Sequence, residues 1–460
     1  MEATHQKLNP VIETGTHTAR CGAPAQGKQM TYKKMLRAAM AAGLSAVVGL
    51  GITACSRDYT ADYVYTVSGT DGNINAFGVD FQSGILTQIS ASPFNDHFIS
   101  NTTILAAPSG KAIYAVSGPE DSKVAAFTVG TDGKLYGVTG GAYSLGGGTY
   151  PTAAAIDSTG SYLYVTFTYQ VGFTPASPGP GGIAIFKINS DSSLTAVSEN
   201  SLPYVPVGNN PVSIAVSAPT CTVTPVIATN TACTGGTGAG HENVFVYVVD
   251  QEPSPNATIL GFAQNTTDGT LTPLSGTTFN QSLNTYQGYH AGVTPSAIAI
   301  DPTARFVYVT DKTSNWVLGY AIDSGASGNL TALVSSPFGT GLYPVAITID
   351  PRGKYVYTAN YNDHTVSAFA IDVGTGSLSG VATGAAFNVG AQPTCLTIEP
   401  ALGIYLYTSN YLAGQVGAAQ LSPNTGSLTG IATAPFTVSP LPTCIASVPN
   451  GLHSTQSDQP

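Results

Sequence analysis

The sequence predicts an all-β fold, and three observations lead to this prediction. Charged residues make up 9% of the 460 residues, against roughly 25% in an average soluble domain, so few elements can be solvent-exposed helices. Glycine and proline number 52 and 30, too many for long helices. A repeat of 49 residues alternates apolar residues with Thr, Val and Tyr between turn residues, which is the pattern of β-strands. The hydrophobic fraction of 43% argues against a disordered chain.

The repeat is clearest in three segments that align without a gap. They are TPSAIAIDPTARFVYVTD from Thr294, YPVAITIDPRGKYVYTAN from Tyr343 and QPTCLTIEPALGIYLYTSN from Gln392. Their prolines lie 49 residues apart, and Pro442 falls at the next interval. Earlier copies begin at Asp62, Asn101, Tyr150 and Asn210. Each unit contains four short strands, a to d, which at this period is typical of a β-propeller blade, and the units number seven.

The two ends of the repeat array predict how the ring closes. The first unit, at Asp62, begins directly with a strand b, whereas residues 442–449 have the pattern of a strand a that no strand b follows. The C-terminal strand should therefore complete blade 1, which would leave no open sheet edge. The sequence thus predicts a seven-bladed β-propeller of four-stranded blades over residues 62–450, followed by a flexible tail at 451–460.

The strand order also assigns loops to two faces. The d-to-a and b-to-c loops share one face, called the top, and the a-to-b and c-to-d turns share the bottom. Insertions at residues 170–182 and 277–294 enlarge the top, and a third at 218–242 lies on the bottom. Because binding residues concentrate on loops at one mouth of such a channel, the top is the expected site.

The N-terminal region predicts export and lipid anchoring. Lys33, Lys34 and Arg37 precede an uncharged apolar run, and small residues follow it, which is the order of a secretory signal. The sequence Ile-Thr-Ala before Cys55 resembles the bacterial lipobox, which implies cleavage at Cys55 and its lipidation. The alternative is a plain signal or a retained membrane anchor. We expect an extension and signal at 1–54, an anchor linker at 55–61, and a location in the periplasm, outer membrane or cell surface.

The charge distribution limits the partners. From Cys55 onward the chain carries 9 basic and 23 acidic residues, a net charge of −14. Such a surface repels nucleic acids and anionic membranes. We therefore expect no nucleic-acid partner and membrane contact through the lipid anchor only.

The run SSPFGTGLYPVAITIDPRGKYVYTANYNDHTVSAFAIDVGTGSLSGV, from Ser335, resembles the repeat of the seven-bladed lactonase family. That family includes 6-phosphogluconolactonase-like proteins, muconate-cycloisomerase relatives and YncE-like propellers. The resemblance implies the propeller fold over residues 59–450. It also implies a site at the channel mouth where Arg, His and Glu hold an acidic substrate and move a proton.

The sequence departs from that pattern at the mouth. The residues after the strand-a prolines are neither basic nor histidine; they are Thr152, Val212, Ser296, Val345, Thr394 and Thr443. Arg305 and Arg352 fall in bottom turns, and Arg57 neighbours the anchor. Because arginine is the side chain best suited to bidentate phosphate or carboxylate binding, we expect a neutral ligand instead of a phosphosugar.

Three histidines interrupt the repeat on the top face. His97 and His290 lie in d-to-a loops and His364 lies in a b-to-c loop. Together with Lys123 and Lys312 they could form a proton-transfer site for an uncharged lactone, with His as general base and Lys as oxyanion stabiliser. The alternative is that they are scattered loop residues in contact with solvent.

Four further residues ring the predicted top mouth because each immediately precedes a strand-a proline; they are Tyr150, Asn210, Tyr343 and Gln392. They could stack on a sugar or peptide, or donate hydrogen bonds to it. Packing within the loops would explain the same residues. The repeated acids at the ends of strands a and c should cap bottom turns; they are Asp80, Asp157, Asp301, Asp323, Asp350, Asp372 and Glu399.

The cysteines separate into two pairs. Cys221 and Cys233 bracket a short segment inside one insertion, so we expect a disulfide between them, which an oxidising compartment permits. Cys395 and Cys444 occupy the same position of consecutive strands a. The rotational repeat should point both side chains the same way around the ring, so we expect two buried free thiols there.

No spacing suggests a zinc site, an EF-hand or a phosphate-binding loop, so the expectation is that there is no metal and no cofactor. Two hypotheses follow. The first is an envelope-anchored propeller that binds a small molecule, a glycan or a protein on its top face without chemistry. The second is a lactone hydrolase or isomerase of the family's type that acts on a sugar lactone or a related cyclic ester.

Overall fold

The computed structural model describes residues 60–118, 120–146, 149–169, 180–199, 201–221, 242–252, 257–280, 285–324, 327–381 and 386–451. They belong to one compact unit, Asp58–Pro460. The predicted signal segment with Cys55, and Cys233 of the predicted Cys221–Cys233 disulfide, lie outside the described residues.

Seven antiparallel sheets and two short hairpins make up this part of the chain. Blades 1 to 3 contain, in chain order, β1 (Thr60–Ser68), β2 (Asn73–Asp80), β3 (Leu86–Gln88) and β4 (Phe94–Asn95); β5 (Asn101–Ala106), β6 (Ala112–Ser117), β7 (Lys123–Val129) and β8 (Leu135–Ser144); and β9 (Tyr150–Ile156), β10 (Tyr162–Thr168), β11 (Gly182–Ile188), β12 (Leu194–Val197) and β13 (Val205–Pro206). Blade 4 contains β14 (Pro211–Val216), β17 (Phe245–Asp250), β18 (Thr258–Gln264), β19 (Leu271–Pro273) and β22 (Tyr289–His290), with hairpins β15 (Thr220–Cys221) to β16 (Glu242–Asn243) and β20 (Thr278–Asn280) to β21 (Thr285–Gln287).

The remaining blades follow the same plan. Blades 5 to 7 contain β23 (Pro295–Ile300), β24 (Phe306–Asp311), β25 (Trp316–Ile322), β26 (Leu330–Ala332) and β27 (Phe338–Gly339); β28 (Pro344–Ile349), β29 (Tyr355–Asn360), β30 (Thr365–Ile371), β31 (Leu378–Gly380) and β32 (Phe387–Asn388); and β33 (Pro393–Ile398), β34 (Tyr405–Asn410), β35 (Gln415–Leu421), β36 (Leu428–Gly430) and β37 (Phe436–Thr437), after which β38 (Pro442–Pro449) ends the sheet structure. The predicted propeller of seven four-stranded blades is confirmed. Every blade except blade 2 adds a short fifth strand that pairs with its third strand.

The ring closes as predicted, through the C-terminal strand. Strand β38 pairs antiparallel with β1, with Tyr63 opposite Val448 and Tyr65 opposite Ala446. Each innermost strand contacts the innermost strand of both neighbouring blades, in the order β5, β9, β14, β23, β28, β33, β38 and back to β5. The first and last parts of the described chain therefore share blade 1.

The core lies between blades. Seven clusters of buried apolar residues are present, one at each blade-to-blade interface. The second strand of a blade is apolar on both faces because both face a neighbouring blade; every residue of β24, β29 and β34 is buried. Burial of both faces of the sheets explains why the chain carries so few charges.

A ring of tyrosine hydroxyls joins the blades. In each blade the last tyrosine of the second strand donates to a backbone carbonyl in the c-to-d turn of the next blade. The seven pairs are Tyr65 to Gly133, Tyr114 to Ser192, Tyr164 to Gly269, Tyr247 to Gly328, Tyr308 to Gly376, Tyr357 to Gly426 and Tyr407 to Gly84. All seven acceptor residues have positive φ, which favours glycine at this turn position. Since a buried hydroxyl needs a partner, these bonds fix the rotation of each blade against the next.

The prediction of free thiols at Cys395 and Cys444 is wrong, because the two residues form a disulfide with 4.9 Å between their Cα atoms. The physical reason is the short distance between the two strands, which the rotational repeat does not specify. Strands β33 and β38 converge at the channel to a separation within the usual disulfide range of roughly 4.4 to 6.8 Å. At that distance, rotation of the side chains brings the two sulfurs together.

Two acids meet at the seam between blades 7 and 1. Asp62 and Glu399 are both fully buried. The backbone N–H groups of Leu402, Ile404 and Tyr405 donate to Glu399, whereas neither carboxylate oxygen of Asp62 has a donor of standard geometry among the described residues. Burial raises the pKa of Asp62 to about 10, with a further contribution from the adjacent Glu399 carboxylate. Asp62 therefore keeps its proton to a higher pH than an ordinary carboxyl group does.

Candidate functional site

The channel mouth on the top face is built from two repeated positions. One is the residue before the strand-a proline, and the other is the first residue after strand b. The backbone N–H of the second position donates to the carbonyl of the first, as in Tyr361 to Tyr343 at 2.9 Å and Tyr411 to Gln392 at 3.0 Å. Blades 1 and 2 carry Gly69 and Gly118 at the second position, while blades 3 to 7 carry Tyr169, Gln251, Lys312, Tyr361 and Tyr411. One side of the mouth is therefore open and the other is lined by large polar side chains.

Two of the four predicted ligand residues contact an aromatic ring of their own blade. The ring of Tyr150 meets Tyr169 edge-on, with 5.0 Å between centroids. The ring of Tyr343 lies 6.1 Å from that of Tyr361. All four residues are partly exposed, so these rings offer their remaining faces to the mouth.

The other two predicted ligand residues carry amides. The Asn210 side chain lies 3.4 Å from the carbonyl and side-chain oxygens of Gln251, and its backbone N–H donates to Asp250 at 2.8 Å. The side-chain oxygen of Gln392 is buried and has no hydrogen-bond partner among the described residues. Because that oxygen does not reach the surface, it does not touch a ligand at the mouth.

Lys312 and Tyr343 come together where blades 5 and 6 meet. The Lys312 ammonium lies 5.8 Å from the centroid of the Tyr343 ring, a cation–π contact. Burial lowers the pKa of Lys312, and the Asp311 carboxylate partly offsets this. Lys312, Tyr343 and Tyr361 form the cluster that we call the blade-6 cluster.

The three predicted histidines occupy separate places. No hydrogen bond or ring contact among the described residues joins any two of them. His97 is exposed and has positive φ. The Nδ1 atom of His290 accepts the N–H of Gly292 at 3.3 Å, and Nδ1 of His364 accepts the N–H of Gln392 at 3.0 Å. A neutral imidazole that accepts at Nδ1 carries its proton on Nε2, so the outward nitrogen of these two histidines is a donor and not a base. Lys123 lies apart from Lys312, against the ring of Phe98.

The residues after the strand-a prolines have structural roles. Where the residue carries a hydroxyl, it reaches the neighbouring innermost strand: Thr152 donates to Pro211 at 2.6 Å, Ser296 to Pro344 at 2.7 Å and Thr443 to Asn101 at 3.0 Å. A basic residue at these positions would lose those bonds between blades.

The charged side chains of the bottom face form hydrogen bonds with turns of that same face, as the sequence predicted. Arg352 donates to Asp350 at 2.9 Å and to the carbonyl of Gly403. Arg305 bonds with Asp301 and with the carbonyl of Val373. The repeated acids accept backbone N–H groups of their turns, as Asp350 does from Lys354 and Tyr355. Neither arginine is therefore available at the mouth.

Sequence reasoning missed a buried carboxylate below the mouth. Asp250 ends β17, is fully buried and has one side-chain oxygen without a partner among the described residues. Burial, followed by the charge of Glu252, raises the pKa of Asp250 to about 7. The equivalent residues Asp311, Asn360 and Asn410 hold the loops around them, so the available signal was an acid at this position in blades 4 and 5. Because its side chain does not reach the surface, Asp250 supports the loop at Asn210 and does not touch a ligand.

Within the described ranges, no group of three or more His, Cys, Asp and Glu side chains is arranged to hold a metal ion. Among those same residues, no helix has the length and apolarity needed to cross a membrane.

The family described as "Lactonase, 7-bladed beta-propeller" matches residues 59–224 and 240–398, which is more than half of the chain. The chain belongs to this lactonase family. None of the proteins with curated descriptions matches the sequence significantly.

Solved structures show the same fold as this lactonase-family chain. One is the periplasmic gluconolactonase of Pseudomonas aeruginosa, at 16% identity and a TM-score of 0.59, covering 85% of this chain and 99% of that one. Another is a proposed 6-phosphogluconolactonase of Bacteroides uniformis, at 16% identity and a TM-score of 0.60, covering 85% and 100%. A third is a protein of unknown function from Desulfotomaculum acetoxidans, at 14% identity and a TM-score of 0.57, covering 87% and 100%.

Proposed function

We propose that this lactonase-family propeller is exported, is held in the cell envelope by a lipid on Cys55, and binds a neutral, hydroxyl-rich ligand such as a glycan at its channel mouth. The observation that carries the binding proposal is the blade-6 cluster of Lys312, Tyr343 and Tyr361 at the entrance to the innermost strand of blade 6.

The chemistry of this cluster suits a sugar. Aromatic rings pack against the apolar C–H face of a sugar ring, and their hydroxyls donate hydrogen bonds at its edge. The Lys312 ammonium beside the Tyr343 ring supplies further donors. The described arginines are engaged on the opposite face, which favours a neutral ligand over a phosphorylated one.

Calorimetric titration with neutral oligosaccharides, with the corresponding aldonates and sugar phosphates, and with peptides tests the binding proposal. Tyr343→Ala and Lys312→Met should each weaken the binding of the neutral ligand at least tenfold. Tyr136→Ala is the matched control, because Tyr136 is 54% exposed on the outer strand of blade 2, and it should bind like the wild type. Equal affinity of Tyr343→Ala and wild type, or tighter binding of the anionic ligands, would overturn the proposal. Binding of peptides alone would assign the mouth to a protein partner.

A second candidate function is hydrolysis or isomerisation of a sugar lactone. The observation that favours it is the position of Lys312, a half-buried cation at the mouth with a lowered pKa. A lactone is neutral, and attack on its carbonyl develops an oxyanion that an ammonium group stabilises. The donor tautomers of His290 and His364 make these residues poor general bases, which is why binding without chemistry is the first proposal.

A hydrolysis panel of sugar lactones, with and without phosphate, separates the two functions. If the protein is a lactonase, Lys312→Ala should lower kcat/KM at least a hundredfold. His97→Ala, His290→Ala and His364→Ala test the predicted bases, and turnover that all three leave unchanged would exclude them. Absence of turnover above the uncatalysed rate, together with saturable sugar binding, would leave the binding function alone.

The proposed location in the cell envelope is tested separately. The Cys395–Cys444 disulfide supports an oxidising compartment. Labelling with a radioactive fatty acid should mark the wild type, and Cys55→Ser should remove both the label and the protein from the membrane fraction. An unlabelled wild-type protein would refute lipid anchoring. If Cys55→Ser stayed in the membrane fraction, the lipid would not be the sole attachment to the membrane.

A further inference from the structure

A second cleft lies between blades 4 and 5 and has no lining residue in common with the blade-6 cluster. Its volume is about 450 Å³, inside the range of roughly 300 to 1,000 Å³ in which small-molecule sites occur. Blade 4 contributes Tyr289, His290 and Val293, from the insertion that sequence analysis placed on the top face. Blade 5 contributes Trp316, Tyr320 and Pro337.

The repeat is broken at this cleft. Trp316 is the single tryptophan of the chain, and it is 44% exposed. It is the first residue of the third strand of its blade, where blades 1, 6 and 7 have the small or polar residues Asn73, Thr365 and Gln415. Burial inside a core does not account for an indole at this position, because nearly half of it faces solvent.

Hydrogen bonds between the two walls hold the cleft open. The hydroxyl of Tyr320 donates to the backbone carbonyl of His290. From the opposite wall, the hydroxyl of Tyr289 donates to the side chain of Asn329 at 2.7 Å. The floor includes Leu318, which belongs to the buried core between blades 4 and 5. A ligand would therefore enter a preformed site and would not need to order it.

The lining selects an uncharged ligand. Among the lining residues, all of which the structure describes, there is no lysine or arginine. The carboxylate of Asp311 is already occupied by the backbone N–H groups of Val293 and Thr294 and by the hydroxyl of Ser314. The exposed imidazole of His290 accepts at Nδ1 and so presents Nε2–H as a donor. The exposed indole of Trp316, the partly exposed Tyr289 and one outward donor match a ring that is apolar on its face and hydroxylated at its edge.

We propose that this cleft binds a pyranose ring of a neutral oligosaccharide, stacked on Trp316 and hydrogen-bonded to His290. The cleft contains none of the residues of the blade-6 cluster, although its Asp311 precedes Lys312 in the chain. A protein with both sites would bind two parts of one glycan. If the channel mouth binds a different ligand, the cleft alone would bind the glycan.

The single tryptophan allows a direct test on the full-length chain. Titration with maltotriose, cellotriose and chitotriose should produce a saturable change in tryptophan emission with at least one of them. Calorimetry with that sugar should show at least tenfold weaker binding at this site for Trp316→Ala, about 1.4 kcal/mol, and a smaller loss for His290→Ala. Ala332→Leu, at an exposed residue of the cleft wall, should block the site and leave the melting temperature unchanged.

The mouth variant Tyr343→Ala is the control that separates this proposal from the proposed function, and it should leave the tryptophan response intact. Loss of the response in Tyr343→Ala would overturn the cleft proposal, because the signal would then come from the mouth. No saturable change with any of the sugars would also overturn it. So would an equal response to cyclohexanol, a ring without the hydroxyl pattern of a sugar, because the cleft would then be a general apolar site.

Discussion

Replacement of Asp62 by asparagine should stabilise the folded protein, and the gain should grow with pH. Asp62 is buried beside Glu399 at the seam where blade 7 meets blade 1. Because burial raises the pKa of Asp62 to about 10 from an ordinary 3.8, the folded state keeps a proton that the unfolded chain releases. The stabilisation that Asp62 gives the folded state is therefore fully present below about pH 4 and is lost as the pH rises toward 10. Asparagine keeps a hydrogen-bond donor toward Glu399 and has no proton to lose.

The gain in unfolding free energy follows from the interval between the ordinary pKa of the carboxyl group and the pH of the measurement. Each unit of pH between the two pKa values costs about 1.4 kcal/mol of unfolding free energy. From 3.8 to pH 7 this amounts to at most about 4 kcal/mol. Since an amide does not reproduce a carboxylic acid in every contact, we expect Asp62→Asn to gain only about 2 kcal/mol of unfolding free energy at pH 7.

Chemical denaturation at pH 5 and pH 8 measures this gain. The difference between Asp62→Asn and wild type should be larger at pH 8 than at pH 5 by about 2 to 4 kcal/mol. Asp80→Asn is the control: the hydroxyl of Ser83 lowers the pKa of Asp80, so this carboxyl is ionised in the folded and unfolded states at both pH values, and the difference between Asp80→Asn and wild type should not change between pH 5 and pH 8. A difference for Asp62→Asn that does not change with pH would refute the protonated pair.

Three further predictions concern the same seam. Tyr407→Phe removes the hydroxyl that donates to Gly84 at 2.7 Å and should lower the unfolding free energy by about 1 to 2 kcal/mol, measured by chemical denaturation. Reduction of the Cys395–Cys444 disulfide, which closes a loop of 49 residues, should cost roughly 4 kcal/mol, measured as a drop in melting temperature with reductant. Truncation after Val438 removes β38 and exposes β1 as an open edge, so the product should aggregate, as seen by size-exclusion chromatography.

Each of these predictions has a specific control. Tyr136→Phe alters an exposed tyrosine and should not change the unfolding free energy. If Tyr136→Phe and Tyr407→Phe lowered it equally, the hydrogen bond from Tyr407 to Gly84 would not stabilise the seam. Alkylation of the unfolded, unreduced protein should leave Cys395 and Cys444 unlabelled, and labelling of both would restore the free-thiol interpretation. A monomeric truncated protein with an unchanged melting temperature would show that β38 does not close the ring.

The candidate site was only partly predictable. The positions of Tyr343 and Gln392 at the mouth follow from the repeat, because a residue before a strand-a proline must lie at the top of the channel. The contact of Lys312 with Tyr343 does not follow, because it joins neighbouring blades through side-chain direction. The three histidines looked equivalent in sequence. The tautomers that their neighbours impose on His290 and His364 depend on the local folding of each loop.

The sequence by itself determined the number of blades, the order of the strands, the closing strand and the turn-capping acids. These features are local: they depend on alternation and turn chemistry within segments of a few residues, repeated at a fixed period. The tertiary structure decided the Cys395–Cys444 disulfide, the Asp62–Glu399 pair and the Trp316 cleft. Each of these lies between blades. A repeat specifies which residues are equivalent, but it does not specify how closely neighbouring blades approach or which side chains meet across the gap.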